Sequence, residues 1–120
     1  MAKILIIDDS PADTRELTEI LGRNGHTVVT APDAEAGVAM ARDQQPDVVL
    51  MDIVMPGMNG FQATRLLTQG AATRHIPVIM VSNKDQQTDR MWGARQGARG
   101  YVTKPVHERE LLATLDSLMS

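Results

Sequence analysis

The amino-acid sequence contains no cysteine and very few aromatic residues. Without cysteine the chain cannot form a disulfide, a thiolate nucleophile or a cysteine-based metal site, and this composition fits a reducing compartment. Phe61, Trp92 and Tyr101 are the only aromatic side chains among the 120 residues. These absences direct the search for function to oxygen and nitrogen groups.

Positive charge and long apolar runs are also scarce. The 12 lysine and arginine residues are scattered and are outnumbered by 15 aspartate and glutamate residues, which gives a net charge of -3. Such a chain lacks the broad positive field that nucleic-acid binding favours. No apolar run approaches the ~20 residues that span a bilayer, and the N-terminus shows no signal-peptide pattern. We therefore expect a cytoplasmic protein with neither nucleic acid nor membrane as a partner.

The length and the 42% hydrophobic content predict one compact domain over residues 1–120, with no second module. Short apolar runs alternate along it with helix-length segments. We predict strands at residues 4–7, 27–30, 48–51, 78–81 and 101–103, and helices at residues 11–22, 33–45, 59–68, 85–96 and 107–118. The second run alternates with polar residues, so its strand is expected at an edge of the sheet.

Strands that alternate with helices predict a doubly wound α/β sheet with helices on both faces, because parallel strands need right-handed crossovers. The favoured arrangement is a five-stranded parallel sheet in the order 2-1-3-4-5, and this order is taken in part from known sheets of the flavodoxin-like three-layer sandwich. In such sheets ligands bind beyond the carboxyl ends of the strands, between the first and third strands. We expect the functional site there.

Acidic residues follow two of the predicted strands directly. Asp8 and Asp9 follow the first strand and Asp52 follows the third, so their carboxylates should converge in the crevice. Converging carboxylates repel one another, so at least one should have a raised pKa unless a cation neutralises them. Oxygen ligands without histidine or cysteine favour Mg²⁺, or Mn²⁺, over zinc. Taken alone, Asp8-Asp9 would more often be a helix-capping turn.

Two further polar side chains stand at the ends of other strands. Ser82 follows the fourth strand and Lys104 follows the fifth. Together with the carboxylates they supply the parts of a phosphoryl-transfer site. These parts are ligands for a metal, a nucleophile in Asp52, and two donors for the phosphoryl oxygens. This combination outweighs the capping interpretation of the two adjacent aspartates.

These residues and the motifs around them resemble the receiver domains of two-component response regulators. The resemblance covers essentially the whole chain, through Asp8-Asp9-Ser10, Asp52 with Met55-Pro56-Gly57-Met58-Asn59-Gly60, Ser82, and Gly97-Ala98 before Lys104-Pro105. It implies that Asp52 accepts a phosphoryl group from a histidine kinase, and that Ser82 and Lys104 contact the phosphoryl oxygens. It also implies that Asp9, Asp52 and the Val54 backbone carbonyl bind Mg²⁺, while Asp8 holds a metal-bound water.

Other segments resemble the short regulators of the chemotaxis-like system that controls type IV pilus twitching motility. They are residues 51–56, residues 60–65, and Trp92-Gly93 before Gln96-Gly97-Ala98. A regulator without an output domain must dock on a downstream protein, unknown here, or drain phosphate from a shared kinase or its phosphotransfer domain. We therefore expect a monomeric signalling protein that catalyses only its own phosphotransfer and dephosphorylation.

The resemblance also assigns a switch to Ser82 and Tyr101. Phosphorylation would draw the Ser82 hydroxyl inward and change the rotamer of Tyr101, which would remodel the face of helix four, strand five and helix five. Trp92, expected to be partly exposed on helix four, would belong to the same partner face. The alternative for Tyr101 is an amphipathic tyrosine at the edge of the sheet, and the alternative for Trp92 is packing against the fifth helix. The resemblance further implies a cis peptide between Lys104 and Pro105.

Other interpretations fit the sequence less well. A haloacid-dehalogenase-type phosphatase would need Asp-x-Asp after the first strand, where the chain has Asp8-Asp9-Ser10. A flavodoxin-like electron carrier would need a hydroxyl-rich phosphate loop and aromatic residues to sandwich a flavin. The strongest alternative is a pseudo-receiver, an interaction module that phosphorylation does not regulate, although all five site positions carry competent residues.

Overall fold

Strands and helices alternate along the chain in a computed structural model that describes residues 1–119. The strands are β1 (Lys3–Ile7), β2 (Thr27–Ala31), β3 (Val48–Met51), β4 (Val78–Ser82) and β5 (Gly100–Thr103). The helices are α1 (Pro11–Arg23), α2 (Ala34–Gln44), α3 (Gly60–Gln69), α4 (Gln87–Arg95) and α5 (Glu108–Met119). All ten predicted elements are present. No helix within residues 1–119 is both long enough and apolar enough to cross a membrane.

The strands form one parallel sheet in the order β2-β1-β3-β4-β5. The predicted doubly wound α/β fold and its strand order are therefore confirmed. Ile7 at the end of β1 lies opposite Ala31 of β2 and Met51 of β3. Because the strands end in register, Asp8 and Asp52 leave the sheet side by side. Strand β2 lies at the edge, as its alternating sequence predicts.

Alternate residues of the central strands face two apolar cores, one on each side of the sheet. Ile4 and Ile6 face the core formed with α1 and α5, whereas Leu5 and Ile7 face the core formed with α2 and α3. The helices contribute Leu17, Ile20, Leu21, Leu111 and Leu115 to the first core and Ala34, Val38, Ala41, Ala63 and Leu67 to the second. Burial on both faces explains the nearly continuous apolar runs, because each large side chain gains about 1.5–3 kcal/mol by burial.

Polar side chains mark the first turns of α1 and α4. The Ser10 hydroxyl accepts a hydrogen bond from the Asp13 N–H at 3.2 Å and caps α1. Helix α4 begins at Gln87, two residues later than the predicted start at Asp85. The Asp89 carboxylate accepts a hydrogen bond from the Gln86 N–H at 3.2 Å, which fixes the first turn at that point.

Helix α3 begins in contact with the end of β3. The Gly60 N–H donates to the Ile53 carbonyl at 2.8 Å, and a Cβ atom at position 60 would lie only 2.0 Å from the Asp52 carbonyl oxygen. No larger residue fits this approach without a shift of the backbone, so glycine is required there. The Asn59 side chain caps the helix by accepting from the Gln62 N–H at 2.9 Å. Together these contacts hold the backbone that follows Asp52.

Candidate functional site

Backbone hydrogen bonds fix two aspartates at the carboxyl edge of the sheet. The Asp52 N–H donates to the Ile7 carbonyl at 2.9 Å, and the Asp8 N–H donates to the Ala31 carbonyl at 3.1 Å. These bonds extend the strand ladders by one residue, so both side chains take their direction from the sheet. Asp8 and Asp52 are almost fully buried.

A cluster of three carboxylates lies between these strand ends. Asp8, Asp9 and Asp52 each present a carboxylate oxygen, and the three oxygens lie within 4.8 Å of one another. Asp9 is exposed, whereas the Asp8 carboxylate accepts a hydrogen bond from the Ser10 N–H at 2.9 Å. Three hard oxygen donors fit Mg²⁺ or Mn²⁺ better than a metal that prefers softer ligands. Val54 follows in the next loop, and its carbonyl as a further ligand stays a prediction.

Lys104 reaches the carboxylate cluster from the loop after β5, and its peptide bond to Pro105 is cis, as predicted. The ammonium group donates to Asp13 at 2.8 Å, to Asp8 at 3.0 Å and to Asp52 at 3.4 Å. Only 15% of the lysine side chain is exposed, so water screens these contacts weakly. The cation therefore offsets part of the repulsion among the carboxylates.

The pKa values of Asp52 and Lys104 reflect this setting. Burial is the main cause that raises the pKa of Asp52 to about 6, while the Lys104 charge acts against it and the Asp8 charge adds to it. The sequence predicts a raised pKa from repulsion among carboxylates, and the structure assigns most of the shift to burial instead. Burial lowers the pKa of Lys104, but hydrogen bonds to Asp13 and Asp8 outweigh it and raise that pKa above its ordinary value.

Ser82 and Tyr101 are joined through the backbone of one residue, Lys84. The buried Ser82 hydroxyl accepts a hydrogen bond from the Lys84 N–H at 3.2 Å, and the Tyr101 hydroxyl donates to the Lys84 carbonyl. The Arg90 guanidinium lies 4.9 Å from the centre of the Tyr101 ring, within the range of a cation–π contact. Burial is the main cause that raises the pKa of Tyr101. A displacement of the loop after β4 would therefore reach both hydroxyl groups.

Trp92 lies on the surface of α4 and exposes 53% of its area, which confirms the predicted partial exposure. Met91 beside it is 51% exposed, and the two residues line a shallow groove with Thr88 and Arg95. The Arg95 guanidinium lies 5.7 Å from the centre of the Trp92 ring. Exposed apolar groups that lie together are typical of interaction surfaces, and the role of Trp92 in a partner face stays a prediction.

Asp13 is the one hydrogen-bond partner of Lys104 that the sequence analysis did not place in the site. It lies in the first turn of α1, three residues after the capping Ser10 and 91 residues before Lys104. One signal for it was available, because position 13 lies in the first turn of the helix that begins two residues after Asp9. Only the fold could show that an amine from the loop after β5 reaches that turn.

Known proteins are similar to this chain in both sequence and fold. A sequence model described as the response regulator receiver domain matches residues 4–116. Protein PilH of Pseudomonas aeruginosa is 58% identical over 120 residues, which cover 100% of this chain and 99% of that protein. Response regulator PleD of Caulobacter vibrioides is 40% identical over 117 residues, which cover 98% of this chain but only 26% of that protein.

The solved structures agree with the sequence comparisons. Chemotaxis protein CheY4 of Vibrio cholerae matches with a TM-score of 0.92 and 29% identity, covering 99% of each chain. The matching family sequence model leaves only the first three residues and the last four outside it. The chain therefore belongs to the response regulator receiver domain family.

Proposed function

We propose that this chain is a stand-alone response regulator that accepts a phosphoryl group on Asp52 from a histidine kinase or its phosphotransfer domain. The observation that supports this best is the position of the Asp52 carboxylate, which is buried within the carboxylate cluster and lies 3.4 Å from the Lys104 ammonium. A nucleophile, a place for a cation and a donor for phosphoryl oxygens are thus within one site.

The three carboxylates would share the binding of Mg²⁺. Asp9 and Asp52 would bind the ion directly together with the Val54 carbonyl. Both Asp8 oxygens already accept hydrogen bonds, from the Ser10 N–H and from Lys104, which suits a contact through a metal-bound water. The bound ion would neutralise charge on the carboxylates and on the phosphoryl oxygens. Mn²⁺ has the same preference for oxygen ligands and could replace Mg²⁺.

In the proposed transfer, a carboxylate oxygen of Asp52 attacks the phosphorus atom of a phosphohistidine. A new O–P bond forms as the P–N bond breaks, and the electron pair of the P–N bond stays on the imidazole nitrogen. Lys104 and the Ser82 hydroxyl donate hydrogen bonds to the phosphoryl oxygens. No general base is needed, because a carboxylate carries no proton that must be removed.

The phosphorylated protein would signal by docking on a downstream partner or would act as a phosphate sink. Ser82 and Tyr101 would form the switch, and Trp92 would lie on the partner face. The 58% sequence identity to Protein PilH, which extends over 100% of this chain and 99% of that protein, supports a regulator without an output domain. We place it in the control of type IV pilus twitching motility, as the motif resemblance implies. The monomeric state and cytoplasmic location remain predictions.

The proposal is tested by incubating the protein with acetyl phosphate and Mg²⁺ and measuring its intact mass. We expect the wild type to gain one phosphoryl group, the Asp52→Asn variant to gain none, and the Asp116→Asn variant to behave as wild type, because Asp116 is exposed on α5. Chelation of Mg²⁺ should prevent the gain. An unlabelled wild type would support the pseudo-receiver alternative, and labelling of Asp52→Asn would show that the acceptor is another residue.

A further inference from the structure

Lys104 is shared among three carboxylates, of which one lies outside the proposed metal site. An ammonium group has three N–H donors, and Asp13, Asp8 and Asp52 offer three acceptors at 2.8, 3.0 and 3.4 Å. The shortest of these contacts goes to Asp13 on α1, and the longest goes to Asp52. The lysine is thus bound most closely by the carboxylate that has no place in the carboxylate cluster.

A phosphoryl group on Asp52 would present several acceptor oxygens to Lys104, so an ammonium group that turns towards them moves away from one of its other partners, Asp8 or Asp13. The side chains of Asp8 and Asp52 are only 2% and 9% exposed, whereas that of Asp13 is 39% exposed. A carboxylate that can turn into water loses its partner at the lowest cost, because solvation replaces the hydrogen bond. Asp8 is held further by the Ser10 N–H at 2.9 Å. Asp13 is therefore the partner that yields most easily.

We propose that Asp13 is a positioning residue that holds Lys104 towards α1 in the unphosphorylated protein and releases it when a phosphoryl group arrives. This inference rests on the proposed phosphoryl transfer to Asp52. The bond to Asp13 is shorter than the contact to Asp52, so a lysine that turns fully towards the phosphoryl oxygens loses it, and Asp13 therefore restrains phosphoryl acceptance. Its carboxylate sets how readily the protein responds to a donor without touching the donor itself.

The first test compares rates of phosphorylation by acetyl phosphate with Mg²⁺. We expect Asp13→Asn to react roughly threefold faster or more than wild type, because a hydrogen bond between charged groups no longer has to be exchanged. Asp13→Glu keeps a carboxylate within reach of the lysine and should restore a rate near that of wild type. The affinity for beryllium fluoride, a phosphoryl analogue, should rise in Asp13→Asn by a similar factor.

Glu16→Gln is the matched control for the loss of one negative charge. Glu16 lies about one turn further along α1 and lines the same cavity, of about 290 Å³, as Asp13 and Lys104. It is not among the carboxylates that contact the ammonium group. If reduced repulsion of an anionic donor were the whole effect, Glu16→Gln would accelerate the reaction as much as Asp13→Asn, and the inference would be wrong.

A second measurement needs neither metal nor donor. The chain has only three lysines, Lys3, Lys84 and Lys104, so their ammonium signals can be assigned by NMR of protein labelled with ¹⁵N-lysine. In Asp13→Asn we expect the Lys104 signal to shift and its protons to exchange faster with water, while the Lys3 and Lys84 signals stay in place. An unchanged Lys104 signal would show that Asp13 does not hold it.

The outcomes separate this inference from the proposed function. A wild type that accepts no phosphoryl group would contradict the proposed function. A wild type that is labelled, together with an Asp13→Asn variant that reacts at the wild-type rate or more slowly, would contradict only the role of Asp13. Circular dichroism should show a folded variant, since the Asp13 backbone N–H and not its carboxylate takes part in the helix cap.

Discussion

The carboxyl group of Asp52 is buried beside the Lys104 ammonium. The ammonium group holds the side chain in place, but burial makes the carboxyl group costly to ionise. Its pKa is raised to about 6 mainly by burial, even though Lys104 lies 3.4 Å away. Below about pH 6 the metal-free protein would hold Asp52 as a neutral acid, which is a poor nucleophile. A bound divalent cation would favour the ionised form, so metal binding and readiness to react would be linked at this one residue.

The raised pKa of Asp52 predicts a stability that depends on pH in the absence of metal. The folded protein keeps this proton up to about pH 6, whereas the unfolded chain releases it near 3.8. The stability from this group is therefore fully present below pH 3.8 and is lost as the pH rises through about 6. Asp52→Asn should thus be more stable than wild type at pH 8, by at most about 3 kcal/mol.

Urea unfolding in the presence of a chelator checks this prediction. The stability difference between Asp52→Asn and wild type should shrink as the pH is lowered from 8 to 4. A difference that stays constant over this range would mean that the pKa of Asp52 is not raised in the folded protein.

For single residues, position along a strand was enough to predict a shared edge of the sheet. Asp8, Asp52 and Lys104 each follow a strand directly, Ser82 is the last residue of β4, and the parallel sheet brings these strand ends to one edge. Asp13 could not be found in this way, because its contact with Lys104 joins two elements 91 residues apart and depends on how α1 packs. The sequence also could not predict that burial is the main cause of the raised Asp52 pKa, because the extent of burial depends on the folded state.

At the scale of elements, the junction between β3 and α3 leaves no room for a side chain at position 60. A Cβ atom there would lie 2.0 Å from a backbone oxygen, which cannot move aside as a flexible side chain could. We predict that Gly60→Ala lowers the free energy of unfolding by more than about 1 kcal/mol. Gly22→Ala in α1 is the matched control, because a Cβ atom there meets nothing within 4 Å.

The control should change stability in the opposite direction. Gly22 lies in a helix, so alanine there should raise the free energy of unfolding by up to about 0.5–1 kcal/mol. Chemical denaturation of the two variants beside wild type measures both effects. Equal stability of Gly60→Ala and wild type would show that the junction can relax, and would remove the requirement for glycine.

The contacts of the loop between β4 and α4 indicate how Ser82 and Tyr101 would respond to a phosphoryl group. Lys84 contacts the Ser82 hydroxyl through its N–H and the Tyr101 hydroxyl through its carbonyl. A phosphoryl analogue that draws Ser82 inward should therefore move this loop and change the surroundings of Tyr101. We expect beryllium fluoride with Mg²⁺ to shift the NMR signals of the Tyr101 ring in wild type but not in Ser82→Ala.

The single tyrosine makes this measurement direct, because its ring signals need no separation from others. Unchanged Tyr101 signals in wild type, under conditions where the Asp52 surroundings do change, would refute the coupling. Equal shifts in wild type and Ser82→Ala would show that the signal reaches Tyr101 by a route other than the serine hydroxyl.

Elements were predicted better than their ends. The strands β1, β3 and β4 are buried on both faces, and their unbroken apolar sequences made them easy to recognise. The start of α4 was predicted two residues too early, because the charged and polar residues after Ser82 carry no apolar period that separates loop from helix. Its first turn depends on the contact between Asp89 and the Gln86 N–H.

At the scale of the whole molecule, the carboxylate cluster links metal binding to global stability. A ligand that binds only the folded protein stabilises it by about 2.7 kcal/mol at a concentration of 100 times its Kd. We predict that Mg²⁺ raises the unfolding temperature at pH 8, where Asp52 is ionised. Asp9→Asn should lose most of this increase and Asp116→Asn should keep it. Differential scanning calorimetry measures the shift, and an equal increase in Asp9→Asn would place the ion elsewhere.

The arrangement of the sheet also suggests where a reporter dye could be attached. The residues of the proposed chemistry lie at or just past the carboxyl ends of the strands. The loop between α3 and β4 lies at the opposite ends, about 16 Å away along a five-residue strand. Ala71 in that loop is exposed, and the chain has no natural thiol. An Ala71→Cys variant would therefore carry a single fluorophore at a defined point. Docking could then be followed by fluorescence anisotropy, and the dye would not block access to Asp52.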